Sequence, residues 1–109
     1  MKKKEKILIA DDEEIMRDVL SALLSAESYA VDLAQSGSQA LEMIRDKDYG
    51  VLLLDLMMPD MDGFQVLAEL KEMGNGPAAV VLTAFASLDK AVEATNLGAP
   101  YFIAKPFKN

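Results

Sequence analysis

Four charged side chains at the ends of apolar runs carry the chemistry of this sequence. Asp11 and Asp12 follow Ile7-Leu8-Ile9-Ala10, Asp55 follows Val51-Leu52-Leu53-Leu54, and Lys105 follows Tyr101-Phe102-Ile103-Ala104 and precedes Pro106. Each run has the length and composition of a buried strand. Side chains at the carboxyl ends of parallel strands share one crevice, where open α/β sheets place their ligands. Three carboxylates and one ammonium are thereby predicted to converge. Like charges held that close repel, and a cation among the oxygens relieves the repulsion, so the set asks for a divalent metal. With no Cys and no His in 109 residues, thiolate and imidazole ligands are excluded, together with thiol nucleophiles and the usual neutral-pH base. The oxygen ligands that remain suit Mg²⁺, Mn²⁺ or Ca²⁺.

Those strand ends need a sheet to hold them, and turn signals divide the chain into alternating strands and helices. Asp12 is placed to cap a helix over about Glu13–Ala26, with an apolar stripe of Ile15, Val19, Leu20, Leu23 and Leu24. A second strand is predicted at Ala30–Ala34, and Ser36-Gly37-Ser38 opens a helix that turns Ala40, Leu41 and Ile44 inward. After the third strand, Met58-Pro59-Asp60-Met61-Asp62-Gly63 reads as a loop, and Asp60 and Asp62 are assigned to it rather than to metal. Phe64, Val66, Leu67 and Leu70 mark a third helix that Gly74-Asn75-Gly76-Pro77 ends. Ala79–Leu82 is the fourth strand, closed by Thr83. Ser87–Leu97 is the fourth helix, stopped by Gly98, and Tyr101–Ala104 is the fifth strand.

Apolar strands alternating with amphipathic helices predict an α/β fold, a doubly wound five-stranded parallel sheet with helices on both faces. Five such strands normally carry five helices. The sequence ends at Phe107-Lys108-Asn109, where Asn109 is placed to cap another, so a final helix is expected to be missing. Truncation and cover by another chain both remain open as explanations.

At this length one domain is expected, burying roughly two thirds of the surface of the unfolded chain. A composition that is 51% hydrophobic and 27% charged is globular, neither disordered nor membrane-spanning. The Met1-Lys2-Lys3-Lys4 start is followed by too short an apolar run for a signal peptide, so a cytoplasmic location is expected, with Lys2 to Lys4 a solvated tail. A net charge of -7 argues against nucleic-acid binding by this chain itself, because phosphate neutralisation needs clustered Lys and Arg.

Taken in order, Asp11-Asp12, Leu54-Asp55-Leu56-Met57-Met58-Pro59, Asp62-Gly63, Thr83-Ala84 and Lys105-Pro106-Phe107 resemble the signature of the receiver domain of bacterial two-component response regulators. The resemblance spans the chain apart from a final helix. It implies a receiver domain over residues 1–109 with the flavodoxin-like strand order 2-1-3-4-5. It makes Asp55 the phosphoacceptor, supplied by a sensor histidine kinase or phosphotransfer protein, with Lys105 and Thr83 contacting the phosphoryl group. Asp12, Asp55 and the backbone carbonyl of Met57 become ligands of Mg²⁺, with Mn²⁺ as a substitute, and Asp11 acts mostly through a metal-bound water. A cis peptide before Pro106 is implied as well. Phosphorylation would draw Thr83 inward and let Phe102 turn into the vacated space, reshaping the fourth helix, its preceding loop and the fifth strand. Phe102 lacks the hydroxyl of the tyrosine often found there, so packing alone would hold the inward state. The implied partners are the kinase and a downstream effector, either separate or a C-terminal output domain. Oligomeric state is left open, with the uncovered sheet face and the fourth-helix and fifth-strand surface as the two candidate dimer contacts, and no membrane contact is expected. Ser87 to Ala94 looks similar to fourth helices of receivers attached to transcriptional activators.

Taken singly, these residues have plainer roles: helix caps for Asp11-Asp12, a turn residue for Asp55, a surface lysine for Lys105, a strand residue for Thr83 and a core aromatic for Phe102. Met57, Met58 and Met61 read mainly as gap fillers that double as an adaptable surface near the crevice. A competing reading is an Asp-nucleophile phosphatase of the haloacid-dehalogenase type, which wants a second Asp two residues after the first, where Met57 stands. Another is a receiver-shaped binding module that works without phosphorylation, which the complete charged set opposes. Nucleotide binding is weakest, since no glycine-rich phosphate loop follows the first strand. As a receiver the chain is no enzyme beyond its own phosphoryl transfer and slow self-dephosphorylation. Met57 and Phe85, neither able to hydrogen-bond an attacking water, predict slow loss of the phosphoryl group.

Overall fold

The computed structural model describes residues 6–58, 60–84 and 87–105. Five strands, β1 (Lys6–Ala10), β2 (Ala30–Ala34), β3 (Val51–Leu54), β4 (Ala78–Thr83) and β5 (Tyr101–Ala104), alternate with four helices, α1 (Glu14–Ala26), α2 (Gly37–Asp46), α3 (Gly63–Met73) and α4 (Leu88–Asn96). Every strand pair is parallel and the order is β2-β1-β3-β4-β5, the doubly wound α/β sheet expected from the alternation. Residues 106–109, which include the expected cis peptide, lie outside the described residues, as do Pro59 and Phe85. Among the described residues no helix is long and apolar enough to cross a membrane.

Alternation along each strand sorts the apolar side chains onto two faces. Leu8, Ala10, Leu52, Leu54, Ala79 and Val81 join residues of α2, α3 and α4 in one large core. Ile7, Ile9 and Leu82 meet Leu20 of α1 on the other face, in a much smaller cluster. The register sets the strand ends level, with Ala10 beside both Ala34 and Leu54, Leu54 beside Val81, and Thr83 beside Ala104.

Three helices start at side-chain caps, and Asp62, expected only as a loop residue, is one of them. The side chains of Ser36 and Ser87 accept the amide N–H of Gln39 and Lys90, and Asp62 forms a reciprocal capping box with Gln65. α1 departs from expectation at two points. Its N-cap is Glu13, which makes no side-chain cap, and Asp12 caps nothing; the Glu13 amide is taken by Asp11 instead. The inward seam of α1 is Met16, Leu20 and Leu24, whereas Ile15, Val19 and Leu23 are 80%, 46% and 59% exposed. Positions 16, 20 and 24 follow the helical repeat on the line facing the sheet, and 15, 19 and 23 lie about 100° around the helix from it. The predicted five-residue stripe is therefore two adjacent rows, only one of them buried.

Candidate functional site

The sheet ladder continues one residue beyond three strands, and each added bond fixes a functional residue. Asp11 N–H donates to Ala34 O at 3.2 Å, Asp55 N–H to Ala10 O at 2.9 Å, and Lys105 N–H to Thr83 O at 2.9 Å. The side chains at these ends are Asp11, Asp55 and Lys105, all buried. Lys105 Nζ donates to Asp11 Oδ2 at 2.6 Å and to Asp55 Oδ2 at 3.4 Å, and lies 3.6 Å from Glu13 Oε1. Asp55 Oδ1 accepts the Met57 amide at 3.1 Å. The Asp11-Asp12 turn is secured from α1: Asp11 Oδ1 accepts the Glu13 amide at 2.9 Å, and Arg17 Nη1 donates to the Asp11 carbonyl at 2.7 Å.

Asp12 completes the acidic set from the solvent side. One carboxylate oxygen from each of Asp11, Asp12 and Asp55 lies within 4.8 Å of the others. A crevice of about 370 Å³, lined by Asp12, Glu13, Asp55, Met57 and Ala84, opens beside them. Among the described residues, four carboxylates, counting Glu13, thus face one ammonium. Burial pushes the Asp55 carboxyl above its ordinary value; the Met57 amide and Lys105 oppose that rise, and the nearby Asp11 charge adds to it. Burial pulls Lys105 down, but its bond to Asp11 and the charges of Asp55 and Asp11 outweigh that, so its ammonium is held above the usual lysine range. A surplus of oxygen donors with no nitrogen or sulfur among them fits a small hard dication.

Thr83 reaches the same end of the sheet, fully buried, next to Ala84 on the crevice wall. Phe102 sits on β5 beside Val81, half-buried against the larger core rather than in the crevice. The structure therefore brings Asp11, Asp12, Asp55, Met57 and Lys105 together, places Thr83 behind them and holds Phe102 apart. Glu13 and Arg17 belong to the site and were not anticipated. The signal available for them was local: Glu13 directly follows the acidic pair, and Arg17 stands one helical turn further on. α3 begins hard against Asp55, because Gly63 lacks a Cβ that would lie 2.8 Å from Asp55 O, and its amide donates to Leu56 O at 2.9 Å.

A family model described as the response regulator receiver domain matches residues 7–109. The transcriptional regulatory protein SrrA of Staphylococcus aureus is 41% identical over 101 residues, which are 93% of this chain and 42% of that protein. The chain spans less than half the length of the curated relatives it matches. Among solved structures, a CheY-like response regulator receiver domain protein of Methanospirillum hungatei superposes with a TM-score of 0.92 at 30% identity, covering 97% of this chain and 85% of that one. A response regulator protein of Burkholderia pseudomallei, solved with a phosphorylated aspartic acid, calcium ion and citrate, superposes with a TM-score of 0.89 at 28% identity, covering 96% of this chain and 62% of that one. With the strand order, the level strand ends and the acidic cluster, these matches have one meaning: the chain belongs to the response regulator receiver domain family, the phosphorylation-controlled signalling modules of two-component systems.

Proposed function

We propose that Asp55 of this receiver accepts a phosphoryl group from the phosphohistidine of a sensor histidine kinase or phosphotransfer protein. The observation that carries the reading is the Lys105 ammonium bonded to both Asp11 and Asp55, which come from distant stretches of chain into one crevice. An Asp55 oxygen attacks phosphorus as the P–N bond of the donor breaks, and the departing imidazole takes up a proton. Attack by an anion on a phosphorus ringed by negative oxygens needs fixed positive charge, and Lys105 is positioned to hold a phosphoryl oxygen. Met57 N–H on Oδ1 and Lys105 on Oδ2 orient the carboxylate before any donor arrives. Thr83 contributes its hydroxyl to the phosphoryl group, and the small Ala84 leaves the approach open.

Asp12, Asp55 and the Met57 carbonyl are the direct ligands we assign to Mg²⁺, or Mn²⁺ in its place, with Asp11 acting at one remove. Bound there, the ion supplies a second centre of positive charge. The oxygen-only donors and the surplus of carboxylates support that assignment. So does the Burkholderia relative, in which a phosphorylated aspartic acid and a calcium ion occur together.

Phosphorylation biases the position of Thr83 and through it the packing of Phe102, so that the surface of α4 and β5, where Leu88 is 78% exposed, changes shape for an effector or a second copy. The chain acts in the cytoplasm as one receiver domain over residues 1–109 and turns over no external phosphate ester. Incubation with acetyl phosphate and Mg²⁺, followed by peptide mass spectrometry, tests the reading. A phosphoryl group on the peptide containing Asp55 supports it; modification elsewhere, or none with a competent donor, overturns it.

A further inference from the structure

The loop that leaves Asp55 and returns at Gly63 is held at a second place, one that phosphoryl transfer itself does not use. Asp60, exposed in that loop, reaches the first turn of α2. Its Oδ1 accepts the Gly37 amide at 3.2 Å, and its Oδ2 accepts the Ser38 amide at 3.4 Å and the Ser38 hydroxyl. The first amides of a helix have no partners within it and lie at its positive end, so a carboxylate is favoured there. The Ser38 hydroxyl above all, with the amides of Met61, Ser38 and Gly37, keeps the Asp60 carboxyl below its ordinary range. Ser36 already occupies the Gln39 amide, so Asp60 takes up two donors that the N-cap leaves free. The backbones also touch: a Cβ on Gly37 would lie 2.5 Å from the Met61 carbonyl oxygen. At its far end the same loop is fixed by the Gly63 amide on Leu56 O and by the Asp62 capping box.

We propose that Asp60 is a positioning residue for phosphoryl acceptance, clamping the loop that carries Met57 to the amino end of α2. The proposal rests on the reading in which the Met57 carbonyl is a metal ligand beside Asp55. An unclamped loop must be ordered at the moment of binding, and that lost freedom is subtracted from affinity; with Asp60 on α2 much of the ordering is done in advance. The coupling is reciprocal: a ligand that fixes Met57 also tightens Asp60 on α2.

Calorimetric titration with Mg²⁺, together with amide hydrogen exchange at Gly37 and Ser38 with and without Mg²⁺, tests this on the wild-type chain and on Asp60→Ala, Asp60→Asn and Ser38→Ala. Asp60→Ala is expected to weaken Mg²⁺ binding roughly tenfold. It should raise the Mg²⁺ needed for half-maximal phosphorylation by acetyl phosphate while leaving the rate at saturating Mg²⁺ unchanged. Asp60→Asn keeps an acceptor oxygen and restores most of the affinity, and Ser38→Ala falls between. In the wild-type chain Mg²⁺ slows exchange at Gly37 and Ser38. Unaltered Mg²⁺ affinity in Asp60→Ala, with exchange at those two amides indifferent to Mg²⁺, overturns the clamp. A wild-type chain that binds Mg²⁺ yet takes no phosphoryl group at Asp55 instead overturns the phosphoacceptor reading, and the titrations still decide the clamp.

Discussion

Two polar clusters lie in this sheet, and they are built on opposite principles. In the first, Tyr49 donates its hydroxyl to Asp32 Oδ2 at 2.5 Å and Lys47 Nζ stands 3.6 Å from the same oxygen, so one carboxylate on β2 has a neutral donor and a cation. In the second, Asp11, Glu13 and Asp55 share the Lys105 ammonium, and Asp12 adds a further carboxylate beside Asp11 and Asp55. Hydrogen bonding does not separate the two, because among the described residues no buried side-chain polar atom lacks a partner. Charge does. The Asp32 cluster is balanced and joins an edge strand to the turn before β3; the Asp55 cluster is left negative, and on the proposed function that imbalance is what a cation and then a phosphoryl group would use. A functional site here is the place where folding leaves charge uncompensated.

Asp55→Asn breaks the comparison most sharply, since function and stability should move in opposite directions. Phosphorylation is lost entirely. The Asp55 carboxyl is raised in the fold, so its contribution to stability is present below the unfolded carboxyl value and is lost as pH rises through the folded one. At pH 7 without metal the ionised group is a net cost, and the amide removes it. Urea denaturation should find Asp55→Asn more stable than the wild-type chain at pH 7, with the gap closing toward pH 4. A gap between the two chains of the same size at both ends of that range would mean the Asp55 carboxylate is not under charge strain.

Lys105→Met takes away the shared cation and leaves two buried carboxylates side by side. Removing one partner of a buried pair costs about 3 kcal/mol. Added Mg²⁺ should recover part of that loss in the variant, and phosphorylation should fall even at saturating Mg²⁺. Denaturation midpoints with and without Mg²⁺ check the first, and phosphoryl incorporation the second.

Much of this architecture was legible in the chain, for a physical reason. Strands covered by helices on both faces must be continuous apolar runs, so Val51–Leu54 stands out at its observed bounds. Tyr101–Ala104 also has its expected bounds but is not the buried strand its composition predicts, because it is an edge strand with Tyr101 and Ile103 exposed. The charges that end the two runs mark the crevice. What stayed hidden depends on partners distant in sequence or on a small rotation. Nothing local tells Asp60 that it meets α2, or Asp32 that Tyr49 will reach it. The α1 stripe was misread because adjacent helical rows differ by one residue, and only the sheet decides which row is buried. Asp12 was read as a cap because Asp favours caps, yet Asp11 takes the first free amide and leaves Asp12 to the crevice.

Tyr49→Phe is the matching test on the balanced cluster. It removes the phenol and leaves Asp32 with Lys47, at a cost of about 1 kcal/mol, and phosphorylation should be unchanged. Burial and the bond to Asp32 hold the Tyr49 phenol well above its ordinary value. Its stabilisation is therefore complete below the unfolded phenol pKa of 10.0 and disappears as pH rises through the folded value. In a difference-absorbance titration of the folded wild-type chain, the Tyr49 phenol should ionise above the ordinary phenol range, and Tyr49→Phe should delete that step alone.

The smallest effect on stability is expected at Met57, whose side chain lies exposed on the crevice wall while its backbone holds Asp55. Met57→Asn leaves that backbone bond in place, so folding stability should change by less than about 0.5 kcal/mol, as for other surface substitutions. Lifetime is another matter. The thioether offers an attacking water no useful hydrogen bond, whereas an asparagine amide at the same place can hold one beside the acyl phosphate. Decay of phosphorylated Asp55, followed after removal of the donor, should be faster in Met57→Asn, while Met57→Leu, apolar and of similar volume, should decay at the wild-type rate. If both variants decayed alike, the wall of the crevice would set access and not polarity, and the imbalance of the Asp55 cluster would govern capture of the phosphoryl group without governing its release.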